Sequence, residues 1–546
     1  MAAATTVPAG TDDDITINLY RGDDPNPVAS QDLLTSPEVL TYQPSGGVPA
    51  GDYFVEVCPF NAGAGSIGYS GVFGAHDSAD AEVQMPRWRV FPSNPNFTDS
   101  GDPSADTRVL WCWIDDSDEC DEEQRNTASR VPWDVQAPSL PTFTTDGNNA
   151  TTAISEVSFL TPDTIFQRPV SPDRKYDYTW DNTWFESKCD PTVFDQPGGN
   201  DDDASTANLF VMHNRMHDWS YYLGFTELNS NLQQTNFGNT GPDRETDPEV
   251  GNAQAGRRTF NGRDNANQIT LQDGIPPITN QYLWQPLAGA FYAACTDGAY
   301  DMAVVAHEYG HAISNRMTGG PDTGTGATQG QTESWSDLIF AEYFRGNGIS
   351  AGEDANPFAL APYVSGNKER GIRNYGMNNS PLNYSDLEYD GNGTTSPHAD
   401  GEIWSAVNFD IAESLNAKYD AQFPSGDPAL QERCAKGELP AEECPGNRRW
   451  AQLMFDGFLL QPSGSTMVDS RDAMLAADVL RFGGANQAEL WDSFAARGLG
   501  ETASSTGADD GQPTPGWSSA ESDDEATVRF EADAGSGAAE NMSVYT

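Results

Sequence analysis

Residues 304–317 read VVAHEYGHAISNRM. Apolar Val304, Val305, Ala306 and Ile313 accompany two histidines four residues apart, which suits a helix. That spacing puts His307 and His311 on one face, where both imidazoles can hold one Zn2+ at about 2.0–2.1 Å. Glu308 lies between them, beside the metal face, where a carboxylate can take a proton from an attacking water. A catalytic zinc takes three protein ligands and keeps one position open. Position 317 is Met, and no further His follows until His398, so the third ligand is sought among carboxylates. The segment QTESWSDLIFAEYF (331–344) supplies one. It follows a Gly-rich loop, TGGPDTGTGATQG, and two helices joined by such a loop can pack antiparallel and aim Glu333 at the metal. Asp337, one turn further along the same face, can accept the remaining N–H of a ligand histidine. Glu342 is the competing carboxylate, but nine residues from Glu333 it faces elsewhere.

Outward from this motif the texture stays helical. Apolar residues recur at helical spacing over 205–224, 300–316, 331–344, 401–419, 448–460, 468–482 and 485–496, with Gly-rich loops between them. Upstream the pattern is different. Residues 1–82 alternate polar and apolar, as in Ile15–Tyr20 and Tyr53–Val57, between Gly/Pro/Asp turns. The run ITINLYRGDDPNPVAS, then SPEVLTY, then GDYFVEV resembles the bacterial pre-peptidase C-terminal β-sandwich. Residues 83–200 carry short strand-like pieces, and 501–546 read as an acidic Ser/Gly-rich tail or linker. Strands followed by helices indicate an α+β fold. The expected organisation is an accessory sandwich (1–82), a β-rich lobe (83–200), a helical catalytic core (201–500) and the tail (501–546).

Charge narrows the function classes. The 546 residues include 29 basic and 82 acidic side chains, a net charge of −53, and only five of the basic residues are Lys. Such a surface repels phosphate backbones and anionic lipid, which excludes nucleic acid as a partner. Thirteen Trp, 19 Tyr and 25 Phe argue for a folded chain in spite of the charge. High acidity with little Lys points to a saline environment, where screening relieves self-repulsion. No run of eighteen apolar residues is present, so membrane insertion is not expected. Of seven Cys, the pairs Cys112/Cys120 and Cys434/Cys444 flank short acidic turns and are expected as local disulfides. An odd Cys is left over. Disulfides indicate an oxidising compartment, and the chain is expected to be exported, with a leader outside this sequence.

HEYGHAISNRMTGG followed by ESWSD resembles the fungalysin family of secreted zinc metalloproteases, relatives of thermolysin. The likeness extends through NRMHDWSYYLGFTE and NFGN, DPEVGNAQAG, DNAN, RGIRNYGMNNSPLNY, HADGEIW and DGFLLQP to LWDSFAARGLG, in the family's order. It implies a thermolysin-like, two-lobed α+β fold and endopeptidase activity on proteins and peptides; separately, the chain is expected to act as a monomer. It implies one zinc held by His307, His311 and Glu333, with Glu308 as base and His398 aiding the oxyanion and proton transfer. By the same resemblance Arg373 binds the substrate carbonyl, and Asn265 and Ala266 form the edge that pairs with substrate backbone. No Tyr lies between His311 and Glu333 to assist the oxyanion. Asp390 and Glu402 are candidates for the carboxylate that would orient His398, and the sequence does not place it. His213 and His217 are read as packing residues. Calcium is possible with so many carboxylates, but no DxDxDG loop supports it. The alternative is a zinc-binding adhesion protein with an inactive protease-like domain, against which the complete set of ligands and base argues.

Overall fold

In the computed structural model, the described residues exclude 1, 8–13, 33–36, 62–65, 76–84, 96–105, 114–119, 124–127, 137–139, 156–167, 196–198, 260–261, 292, 321–327, 353, 391–395 and 521–546. Among them, helices of eight residues or more are α1 (Asp202–Tyr221), α2 (Met302–Met317), α3 (Gln331–Gly346), α4 (Pro397–Tyr419), α5 (Pro428–Ala435), α6 (Gly446–Leu459), α7 (Met467–Phe482) and α8 (Gln487–Ala496). All named strands among the described residues lie before Gly298. The fold is α+β.

The sandwich forms as its alternation dictates. Ile15, Ile17 and Leu19 of strand Asp14–Arg21 point inward with Leu40, and each is almost fully buried. This strand lies between Ala29–Gln31 and Tyr53–Asn61 in one antiparallel sheet. The other three-stranded sheet has the order Glu38–Leu40, Ala2–Val7, Gly68–Phe73. On the outer face, Phe54 stacks on Tyr20 at 5.0 Å.

The sheet nearest the site runs Ala150–Ile154, Glu249–Ala253, Ile278–Gln281, Ala266–Ile269. The first two pairings are parallel, and the edge strand Ala266–Ile269 is antiparallel. It therefore crosses the boundary expected at residue 200: parallel pairing needs long crossovers, so segments distant in sequence become neighbours. α1 packs on this sheet and against α2, while α2 also lies along the edge strand.

Two local features place α2 and α3. Asp301 caps α2, its carboxylate accepting the N–H groups of Ala303 and Val304 at 3.0 and 3.4 Å. A carboxylate there satisfies free donors at the positive end of the helix dipole. Further along, Gly310 meets α3 directly: a Cβ at this position would lie 2.8 Å from the Ser336 Cα. The missing side chain lets the two backbones approach, and α3 is locked from behind by Trp335 packed edge-to-face on Phe458 at 4.8 Å.

Disulfides join Cys112 to Cys120 and Cys434 to Cys444, as the spacing indicates, and also Cys189 to Cys295. Cys58 is the free thiol. The segment expected as a tail begins with residues 501–520, which fold back on the core. Gly500 N–H donates to the Gly516 oxygen, Gly516 N–H donates to the Gly498 oxygen, and Ser504 pairs with Thr514. Residues 521–546 of the expected tail lie outside the described residues. No helix among the described residues is long and apolar enough to cross a membrane.

Candidate active site

α2 presents His307 and His311 toward the first turn of α3, and three donor atoms converge there. The two Nε2 atoms are 3.2 Å apart. Glu333 Oε2 lies 3.3 Å from His307 Nε2, and Glu333 Oε1 lies 3.6 Å from His311 Nε2. Donors bonded tetrahedrally to an ion at about 2.0–2.1 Å sit about 3.3 Å from one another. The residues thus fit a cation: three lone-pair donors are spaced as its ligands would be. Among the described residues this is the one group of three or more His, Cys, Asp or Glu side chains whose donor atoms converge in this way.

Charges behind the donors set their states. His307 Nδ1 faces Asp337 Oδ1 at 2.8 Å, which leaves Nε2 as the lone-pair nitrogen. Burial opposes charge on His307, but Asp337 and Glu333 outweigh it and raise its basicity. Burial alone would raise Glu333; the His307 hydrogen bond and the charges of His311, His307 and Arg373 hold it well below the usual carboxylate range. His311, whose main influence is burial, is drawn down to about 4 and stays neutral. Glu308 is 6% exposed, and burial, reinforced by the Glu333 charge, pushes it up to about 7. A carboxyl poised there can both accept and return a proton near neutrality.

Residues 113–503, more than half of the chain, match the family described as Fungalysin metallopeptidase (M36). The chain belongs to this family. It is 32% identical over 434 residues to an extracellular metalloproteinase of Fusarium vanettenii, covering 77% of this chain and 59% of that protein. It is 32% identical over 403 residues to an extracellular metalloproteinase of Aspergillus flavus (70% and 56% covered). Identity is 34% over 368 residues to one of Pyrenophora tritici-repentis (66% and 50% covered). The chain therefore spans between half and three fifths of the length of these relatives.

Arg373 of this fungalysin chain reaches the centre and is 8% exposed. Its Nε and Nη2 bond Asp337 at 2.8 and 2.9 Å, and Nη2 also reaches Glu333 at 3.3 Å. Its guanidinium thus clamps the two carboxylates that serve His307. His398 comes within 3.4 Å of Glu333 Oε2 through Nε2, with its side chain 65% exposed. It stands in the first turn of α4 rather than in a loop, because α4 starts at Pro397, four residues before the periodicity begins. Proline at the first helical position needs no N–H partner, and the Asp400 carboxylate accepts the Ser396 N–H at 2.9 Å.

Of the two candidate partners of His398, Glu402 is engaged elsewhere. It accepts the backbone N–H groups of Asn374 and Tyr375 at 2.7 and 3.0 Å, fixing the turn that bears Arg373. Asp390 is exposed, and the carboxylate at His398 is Glu333. Glu342 is remote from the cluster and accepts from Asn447 at 2.8 Å. Exposed Asn265 precedes the edge strand, and half-buried Ala266 begins it. His217 lies 2.9 Å from Asp218 and 3.0 Å from Gln233, and fully buried His213 is driven down to about 3 by burial alone. Both are packing residues of α1.

Proposed function

We propose that the chain is a secreted zinc-dependent endopeptidase that hydrolyses internal peptide bonds of proteins. The observation that carries this is the convergence of His307, His311 and Glu333 beside buried Glu308. Two imidazoles and one carboxylate suit Zn2+ in a site with an open position. Zinc held there would polarise the scissile carbonyl and acidify the attacking water. Glu308 takes that water's proton during attack and passes it to the leaving amine. His398, exposed at the rim, donates Nε2–H to the developing oxyanion. Asp337 and Arg373 keep His307 and Glu333 in place throughout; Arg373, whose guanidinium bonds both carboxylates, is proposed also to bind the substrate carbonyl. The strand Ala266–Ile269, with Asn265 before it, offers a sheet edge along α2 to which an extended peptide can add.

Export is supported by the extracellular relatives and by three disulfides. Residues 1–82 are proposed as an accessory domain, and the acidity as an adaptation to salt. The test is casein hydrolysis in molar salt, before and after chelation and after zinc is returned. Cleavage lost on chelation and restored by zinc supports the reading; cleavage indifferent to chelator, or none by folded, zinc-loaded protein, contradicts it.

A further inference from the structure

Among the described residues His398 makes one ion pair, with Glu333 across the cleft. The backbone of the first turn of α4, which carries it, is tied down on both sides. Two residues after it, the fully buried Asp400 carboxylate holds two separate pieces of chain, accepting Ser396 N–H at 2.9 Å and Glu388 N–H at 2.8 Å. The next residue, Gly401, lies against the start of α3. A Cβ there would meet the Gly330 carbonyl oxygen at 2.7 Å, Ser334 N at 3.2 Å and Glu333 Cβ at 3.3 Å. The contact is reciprocal. Gly330, at φ +74°, would drive a Cβ to 2.4 Å from Gly401 N and 2.5 Å from the Pro397 oxygen. One turn on, Ser334 and Ser405 join through their hydroxyls at 2.8 Å.

We infer that Asp400 and Gly401 are positioning residues that set His398 against Glu333 through bare backbone contact between the starts of α3 and α4. This rests on the peptidase reading above, in which His398 serves the oxyanion. Each helix carries its site residue within three positions of the contact, so a shift at Gly330/Gly401 passes to the 3.4 Å Glu333–His398 separation with little slack. A methyl group on residue 401 would force the two ends apart by roughly half an ångström, and errors of about 1 Å in catalytic geometry cost on the order of 100-fold in rate. Zinc content is read alongside kcat, because Glu333, a proposed ligand, lies at the same contact.

The test is a double-mutant cycle of Gly401→Ala with His398→Ala, reading kcat and KM on a quenched peptide and zinc per chain by mass spectrometry. Gly401→Ala is expected to lower kcat roughly tenfold or more, with KM within about threefold and one zinc per chain. In the His398→Ala background the same substitution is expected to cost nothing further, since no imidazole is left to position. Losses that multiply in the double variant, an unchanged kcat in Gly401→Ala, or a loss tracking zinc content would overturn the inference. If Gly401→Ala does not fold, Asp400→Asn, which replaces an acceptor by an amide donor, carries the same cycle and the same criteria. Full activity in His398→Ala alone would instead refute the role of His398, and the positioning inference with it. That outcome is distinguished from absence of peptidase activity by the wild type measured alongside.

Discussion

His307 and His311 stand in mid-helix, the first buried and the second half-buried, each fixed by its own spacing and by the carboxylates facing it. His398 stands at the first turn of another helix, exposed, and is fixed by a buried aspartate and a glycine contact that touch only backbone. The first arrangement trades solvent access for rigidity and suits atoms that must stay put around an ion. The second leaves an imidazole at the rim, where it can meet a substrate. In the proposed account the centre is divided between ligands held by side chains and a proton donor held by main chain.

The sharpest way to break this division is at Glu333, which belongs to both halves. Glu333→Ala is expected to lose zinc during dialysis and all measurable hydrolysis with it; stoichiometric metal in that variant would remove Glu333 from the ligand set. Asp337→Asn should act more mildly, weakening zinc about 10–100-fold, as loss of a histidine's carboxylate partner does. Competition against a chelator of known affinity measures this. His398→Ala should keep its metal and lower kcat about 100-fold, the cost of one oxyanion donor. Metal loss in that variant would merge the two halves.

A smaller effect concerns the cap of α2. Burial pushes Asp301 up to about 7, against about 3.9 for an unfolded aspartate. The folded state therefore binds this proton more tightly, so the contribution to stability is complete below about pH 4 and is lost as pH rises through about 7. Asp301→Asn keeps an oxygen acceptor for Ala303 and Val304 but does not titrate. Thermal unfolding should show the variant gaining on the wild type between pH 5 and 8, and a constant difference across that range would refute the assignment.

The ligand half was legible in sequence because i, i+4 spacing is a local property, and a helix turns it into geometry without help. Asp337 followed from the same logic on α3. His398 itself was named from the sequence, but what holds it was not legible. Its helix starts at Pro397, ahead of the apolar period, and its support comes from Gly330 and Glu388, whose proximity to residues 400 and 401 no local pattern encodes. Glu402 shows the same limit: a carboxylate near a histidine in sequence serves the backbone of another turn. The parallel pairing of Ala150–Ile154 with Glu249–Ala253 and the Cys189–Cys295 bridge were hidden for the same reason, each joining segments about a hundred residues apart.

The most direct measurement is zinc content and peptide hydrolysis on the same sample of Glu308→Gln. Glutamine keeps the shape of the side chain and cannot accept the proton. The account predicts one zinc per chain, unchanged from wild type, with hydrolysis reduced at least about 1000-fold. Hydrolysis near the wild-type rate by that zinc-loaded variant would contradict it.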